Sequence, residues 1–345
     1  MEAPTTLEFK DVRINVPWGH VAGRWYGNNL TRPILAIHGW LDNLGTWETL
    51  VPLLPQHIGV LCIDLPGHGL SSHLPRGMTY HVIDFVRIIV RIMEEYKWQK
   101  VSLMGHSLGS VIAFVFTSLF PHKVDLYIAL DVIKPYRRTE DDLIKQFRMH
   151  SERLLIEDER LESASLKEPP SYTYDELERL LYEGSYNSVD LENCKYILNR
   201  SITKSAKYPN KYYFSRDGRL KNYVEFLATN EMTKEMAKKI ANIPYLLVKA
   251  SQSVYINEDT WEIVELLQKQ NSQFEFHEVP GTHHVHLNNP KIVAALLNPF
   301  INHHRPARLV AWSMTEDVAC NESDNESDNV TPKQPKMDTK LNSKL

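Results

Sequence analysis

The sequence predicts an α/β fold, a mostly parallel sheet with helices on both faces and an inserted helical lid. Two observations carry this. From Ile34 onward, short apolar runs alternate with segments of helical period. A charged stretch of about a hundred residues then interrupts the alternation, too long for a loop inside a compact domain.

Taken in order, residues 7–26 alternate about Pro17-Trp18-Gly19, the pattern of a hairpin. Residues 34–38 (ILAIH) and 60–64 (VLCID) are continuous apolar runs, as expected for strands covered on both faces. Residues 79–96 place Val82, Phe85, Val86, Ile89, Val90 and Met93 at helical spacing. Residues 101–104 read as a strand, 108–120 as a helix and 126–130 (LYIAL) as a strand again. The segment 134–239 has no comparable apolar strand; its charged helical stretches begin EDDLIKQF, YDELERLL, LENCKYIL and EMTKEMAK. Alternation resumes at 245–249, 260–269, 274–279 and 291–303. The expected division is a core of 1–133 and 240–305, a lid of 134–239 and a flexible tail of 306–345.

Composition narrows the function. The chain has 345 residues, 39 Lys+Arg against 43 Asp+Glu and a formal net charge of −4. With 43% hydrophobic and 24% charged residues it is an ordinary globular chain, neither disordered nor fibrous. The near-neutral balance argues against a nucleic-acid partner. Cys62, Cys194 and Cys320 are odd in number and far apart, so neither a disulfide framework nor a CxxC metal pair is expected, and a reducing compartment is. The N-terminus lacks the apolar region of a secretory signal. Residues 101–120 approach the length of a membrane span but carry glycines, a histidine and serines, so no span is expected. Without a secretory route, the Asn-x-Ser/Thr sites at Asn29, Asn199, Asn321, Asn325 and Asn329 read as chance. The polar tail ends in Ser343-Lys344-Leu345, a receptor-read peroxisomal address. It implies peroxisomal localisation beside a cytoplasmic pool, with the import receptor as a partner.

The chemistry centres on Gly105-His106-Ser107-Leu108-Gly109, a G-x-S-x-G motif between an apolar strand and an apolar helix. A sharp turn there strains the serine backbone, and the two glycines let neighbouring segments approach. The helix N-terminus aims N–H groups at an anion formed on the serine. A hydroxyl needs a base. His283, in Val279-Pro280-Gly281-Thr282-His283-His284-Val285-His286, follows the last predicted strand, the late place expected in the order Ser, acid, His. Of its neighbours, His286 is expected to support the site or pack, and His284 to face solvent.

These motifs, with His38-Gly39-Trp40-Leu41-Asp42-Asn43 and Asp64-Leu65-Pro66-Gly67-His68-Gly69-Leu70-Ser71-Ser72, resemble the α/β-hydrolase superfamily. Within it they are similar to the serine hydrolase-like proteins, including the insect kraken type. The resemblance runs from about residue 7 to 303 and is weakest in the lid. It implies the α/β-hydrolase fold, Ser107 as nucleophile, His283 as base, and an oxyanion hole from the backbone N–H groups of Trp40 and Leu108. Two such donors suit acyl transfer. His38 and His68, in turn motifs, read as structural. Most relatives carry the acid after the strand matching 245–249, where Ser253 stands here, a departure from the pattern. The alternatives are Asp131, at the end of the run LYIAL, and the Glu258/Asp259 region; Asp131 could also simply anchor the lid entrance.

A serine nucleophile argues against epoxide hydrolase and dehalogenase chemistry, which use an aspartate. No P-loop, GxGxxG site or metal-ligand spacing is present, so no cofactor or metal is expected. Two functions stay open. One is a serine hydrolase cleaving a small-molecule ester or thioester of a small-to-medium apolar acid. The other is a ligand-binding protein on a hydrolase scaffold with weak or no turnover, motivated by Ser253.

Overall fold

The computed structural model describes residues 7–135, 139–164, 168–222 and 228–307. The hairpin pattern becomes β1 (Phe9–Val16) and β2 (Gly19–Tyr26), paired antiparallel. The apolar runs become β3 (Ile34–Ile37) and β4 (Val60–Ile63). Then come α1 (Val82–Glu95), β5 (Val101–His106), α2 (Leu108–Leu119) and β6 (Val124–Leu130). The apolar window considered above as a membrane span is therefore β5, a turn and α2. Among the described residues no helix is long and apolar enough to cross a membrane.

The insert contains α3 (Glu140–Ala164), α4 (Tyr174–Gly184), α5 (Cys194–Ser201), β7 (Ile202–Lys204), β8 (Tyr212–Phe214) and α6 (Asn230–Lys238). The chain then returns through β9 (Tyr245–Ala250), α7 (Glu258–Gln270), β10 (Phe274–Val279), α8 (Val285–Asn288) and α9 (Pro290–His304).

Eight strands form one sheet in the order β1-β2-β4-β3-β5-β6-β9-β10. Only the hairpin strands β1 and β2 run antiparallel to their neighbours; β3, β4, β5, β6, β9 and β10 are parallel. Strand period 2 explains the continuous apolar runs. Leu35, Ile37, Leu61, Ile63 and Leu247 face one layer, against α1, α2, α6 and α7. Ile34, Ala36, Val60, Cys62 and Leu246 face the other, against the turn around Trp47 and against α9. Each fully buried Leu or Ile side chain stabilises by roughly 1.5–3 kcal/mol, so both faces hold the sheet. Cys62 and Cys194 are buried and unpaired.

The insert differs from its sequence reading in two respects. It includes the antiparallel β7–β8 pair, whose three-residue strands are too short to leave an apolar run. Its last helix, α6, lies in the core layer: Met236 and Ala237, with Ile240 just beyond the helix, pack in the cluster that contains α2 and α7. A charged amphipathic helix has the same pattern whether its apolar stripe meets a sheet or a lid. Helices α4 and α5 and the segment between them have their own small core of Leu177, Val189, Cys194, Ile197 and Leu198, joined to the main body through Leu287 of α8. Thr173 and Glu176 form a capping box that starts α4. Residues 308–345, with Cys320, Asn321, Asn325, Asn329 and the Ser343-Lys344-Leu345 ending, lie outside the described residues.

Candidate active site

The parallel strands end at one edge of the sheet, where open α/β sheets place their ligand sites. Ser107 stands between β5 and α2 with φ 52 and ψ −116, a conformation that costs an ordinary residue about 1–3 kcal/mol. The motif glycines are sterically required. A Cβ on Gly105 would lie 2.4 Å from the Gly109 carbonyl carbon, and one on Gly109 would lie 2.0 Å from the Ile37 carbonyl oxygen. The turn can therefore be this sharp only with hydrogen at both positions. Leu108 is the first residue of α2, where backbone N–H groups have no acceptor within the helix.

His283 follows β10. Its Nδ1 lies 2.6 Å from Asp131 Oδ2. Asp131 is fully buried at the end of β6, where its N–H donates to the Val248 carbonyl at 2.8 Å. Its Oδ1 accepts from the Ala250 N–H at 2.7 Å. Both carboxylate oxygens are thus engaged and the imidazole is oriented. Glu258 and Asp259 are exposed in the first turn of α7, and Ser253 is half-buried in the loop before it. Of the candidate acids, the fold brings Asp131 to the imidazole. Tyr255 packs its ring 4.3 Å from that of His283.

Ser107, His283 and Trp40 line one cavity of 780 Å³. Trp40 is 42% exposed, and its indole N–H donates to the Leu220 carbonyl at 2.8 Å, tying the loop after β3 to the insert. The insert adds Leu180, Leu181, Val189, Ile197, Phe214 and Arg216 to the wall. His38 and His68 hold the loops behind. His38 Nε2 accepts from the Leu65 N–H at 2.9 Å and its Nδ1–H donates to the Gly39 carbonyl at 2.7 Å. His68 Nε2 accepts from the Leu41 N–H at 3.2 Å.

His284 departs from its expected place in solvent. It lines the cavity, and its Nδ1 meets Ser188 Oγ at 2.8 Å. His286 is buried, with Nε2 2.8 Å from Thr46 Oγ1. Both rings pack against that of His106, at 4.7 and 4.1 Å between centroids. Burial, then the neighbouring imidazoles, holds His106 and His284 well below the ordinary histidine range and His286 down at about 3. These rings are neutral at pH 7. Asp42, whose Oδ1 accepts from the Asn43 N–H, is pushed up to about 7 by burial.

Asp42, His106 and His284 bring one potential ligand atom each to within 4.8 Å of one another, a set able to hold a metal ion. The three residues carry no metal-ligand spacing in the sequence, because the loop after β3, the end of β5 and the loop after β10 build the set together. Arg216 was equally invisible, an arginine in the insert attached to no motif.

A model of the α/β hydrolase fold matches residues 32–290. The chain is 35% identical over 301 residues to a Drosophila melanogaster protein named "Probable serine hydrolase", covering 85% of this chain and 88% of that one. It is 33% identical over 316 residues to human serine hydrolase-like protein 2, covering 87% and 96%. Among solved structures, a hypothetical protein of Pseudomonas aeruginosa aligns with a TM-score of 0.70 at 24% identity, over 85% of this chain and 99% of that one. The thioesterase domain of a curacin biosynthetic pathway aligns at 0.68 and 21% identity, over 84% and 99%. At such identities the structural likeness concerns the fold alone.

Proposed function

The chain belongs to the α/β-hydrolase family, and within it to the serine hydrolase-like proteins, and from that premise we propose that it cleaves an ester or thioester of a small-to-medium acid through an acyl-enzyme. One observation carries the reading: a buried carboxylate, Asp131, 2.6 Å from the Nδ1 of His283, in the cavity that holds Ser107 on its strained turn. With Nδ1 holding its proton for Asp131, Nε2 is the basic nitrogen. Ser107 Oγ attacks the carbonyl carbon as Nε2 takes its proton. The Trp40 and Leu108 N–H groups stabilise the oxyanion; losing one such donor typically costs about 2.7–4 kcal/mol in the barrier. Collapse expels the alcohol or thiol, which receives the proton from Nε2. Water, deprotonated in turn by His283, attacks the acyl carbon and releases the acid and Ser107.

The apolar wall of Leu180, Leu181, Val189 and Ile197 suits the acyl chain. The binding-protein alternative draws its motive from Ser253; the contact between Asp131 and His283 supports the hydrolase reading instead. A fluorophosphonate probe is expected to label the wild type at Ser107 and to leave Ser107→Ala unlabelled. Absence of labelling in folded wild-type protein refutes the nucleophile.

A further inference from the structure

Among the described residues, Arg216 is the only Lys or Arg lining the cavity, and Asp42 is its only carboxylate. No ion pair or hydrogen bond among the described residues engages the Arg216 guanidinium; its Cζ stands 4.1 Å from the Phe214 ring centroid, and the buried His68 ring lies within its electrostatic reach. Two buried carboxylates, Asp217 next in the chain and Asp64, are committed elsewhere. Asp217 Oδ2 pairs with Arg219 at 2.7 Å and accepts from the Tyr80 hydroxyl at 2.8 Å. Asp64 Oδ2 pairs with Arg200 at 2.7 Å and also accepts from the Leu70 N–H.

The backbone around Arg216 is fixed on both sides. The Ser215 N–H donates to the Ser201 carbonyl at 2.8 Å, and the Asp217 N–H to the Gly67 carbonyl at 2.9 Å. A half-buried cation on a braced segment, backed by an aromatic face, is prepared for a ligand at little ordering cost. Burial lowers its pKa to about 10, so it is still charged at neutral pH and gains by meeting an anion. Guanidinium bonds carboxylates and phosphates in a two-pronged geometry.

From this we infer that the substrate carries an anionic group, a carboxylate or a phosphate, remote from the bond that is cleaved, and that Arg216 binds it. The inference rests on the hydrolase reading above. It makes Arg216 a specificity-determining residue that has no part in the bond-breaking steps.

The test compares kcat/KM for matched pairs: the p-nitrophenyl monoester of adipic acid against p-nitrophenyl hexanoate, and hexanoyl-CoA against hexanoyl-pantetheine. The first pair asks about a carboxylate on the acyl side, the second about phosphates on the leaving group. In the wild type one anionic partner is expected to be preferred at least tenfold. Arg216→Gln is expected to bring that ratio near one, and Arg216→Lys to keep part of it, with melting curves confirming that both variants fold. Binding of monomethyl adipate and of CoA to Ser107→Ala, measured by calorimetry against dimethyl adipate and pantetheine, reads the same preference without turnover. An active wild type with both ratios near one, or a preference that survives Arg216→Gln, overturns the inference. If no ester is turned over, the hydrolase reading fails, and the binding arm alone decides for or against Arg216.

Discussion

Replacing Asp131 by Asn isolates the link between the buried acid and the base. Asp131 has φ 61, a left-handed conformation that Asn adopts as readily as Asp, so the backbone should hold. The carboxylate has two acceptors, Oδ1 for the Ala250 N–H and Oδ2 for His283 Nδ1. The amide has one. Ala250 N–H is a buried backbone donor, and leaving it facing an NH₂ group costs about 1–3 kcal/mol. The amide oxygen therefore stays with Ala250, and the NH₂ group turns to His283. It can only donate, so Nδ1 must become the acceptor and the ring proton moves to Nε2. An imidazole with Nε2 protonated cannot take the proton of Ser107.

The expected loss is about 10⁴-fold in kcat, the size seen when a triad aspartate becomes asparagine elsewhere. That corresponds to about 5.4 kcal/mol in the barrier. The assay is p-nitrophenyl ester turnover, with the thermal transition followed in parallel. Turnover within tenfold of wild type, in a folded variant, would refute the tautomer argument and with it the role of Asp131.

Two further outcomes are expected. Gly109→Ala would place a methyl 2.0 Å from the Ile37 carbonyl oxygen, so either β3 or α2 must move; about 3 kcal/mol of lost stability is expected in urea unfolding, and a loss below about 0.5 kcal/mol would show the contact to be soft. Stability should also fall as pH drops below about 6.5. Burial holds His38 at about 4 and His286 at about 3, and His68, His106 and His284 well below the ordinary value of 6.5. In that window the unfolded chain binds protons that the folded protein refuses. At pH 5 His38 and His286 each cost about 2 kcal/mol relative to pH 8. Asp42, raised from 3.8 to about 7, acts in the opposite sense: its folded form keeps a proton that the unfolded chain has lost, stabilising by about 3 kcal/mol at pH 5. Burial also lowers His304 and raises Glu48 and Asp190, so six histidines stand against three carboxylates; the larger histidine set fixes the net sign, the urea midpoint should be lower at pH 5 than at pH 7, and a higher one contradicts the neutral-histidine account.

The parts of the site legible in the sequence are those fixed by local geometry. The elbow is a five-residue motif because a strand, a strained turn and a helix are contiguous, and its glycines are demanded by contacts under 3 Å. The strands could be read because both faces are covered, leaving unbroken runs such as ILAI and VLCI. Features assembled by tertiary packing left no such trace. His284 reads as one of three crowded histidines until Ser188, from the insert, meets its Nδ1. Arg216 gains its meaning only from folding, which places it in the cavity wall with its guanidinium in no ion pair among the described residues. The α6 helix could not be told from a lid helix, since its stripe of Met236 and Ala237 serves equally for either.

The acid shows how pairing settles what order along the chain leaves open. A carboxylate was expected after β9, and Ser253 stands there. The requirement is spatial: a carboxylate must approach Nδ1 of a histidine whose loop follows β10. In the sheet, β9 lies between β6 and β10, and Leu130, one residue before Asp131, is in register with Val248. The ends of β6 and β9 are thus adjacent, about 4.8 Å apart across a sheet. An aspartate side chain spans that gap once its backbone turns toward the neighbouring strand. The left-handed φ of Asp131 supplies the turn, and the Ala250 N–H at the end of β9 donates to the carboxylate. A position on β6 can therefore serve the same imidazole as one on β9. If this is why Asp131 reaches His283, adding Ser253→Asp to the impaired Asp131→Asn variant should recover part of its turnover. Failure of that pair to recover any would mean that the loop after β9 cannot present a carboxylate to Nδ1, and that β6 is here the sole possible source.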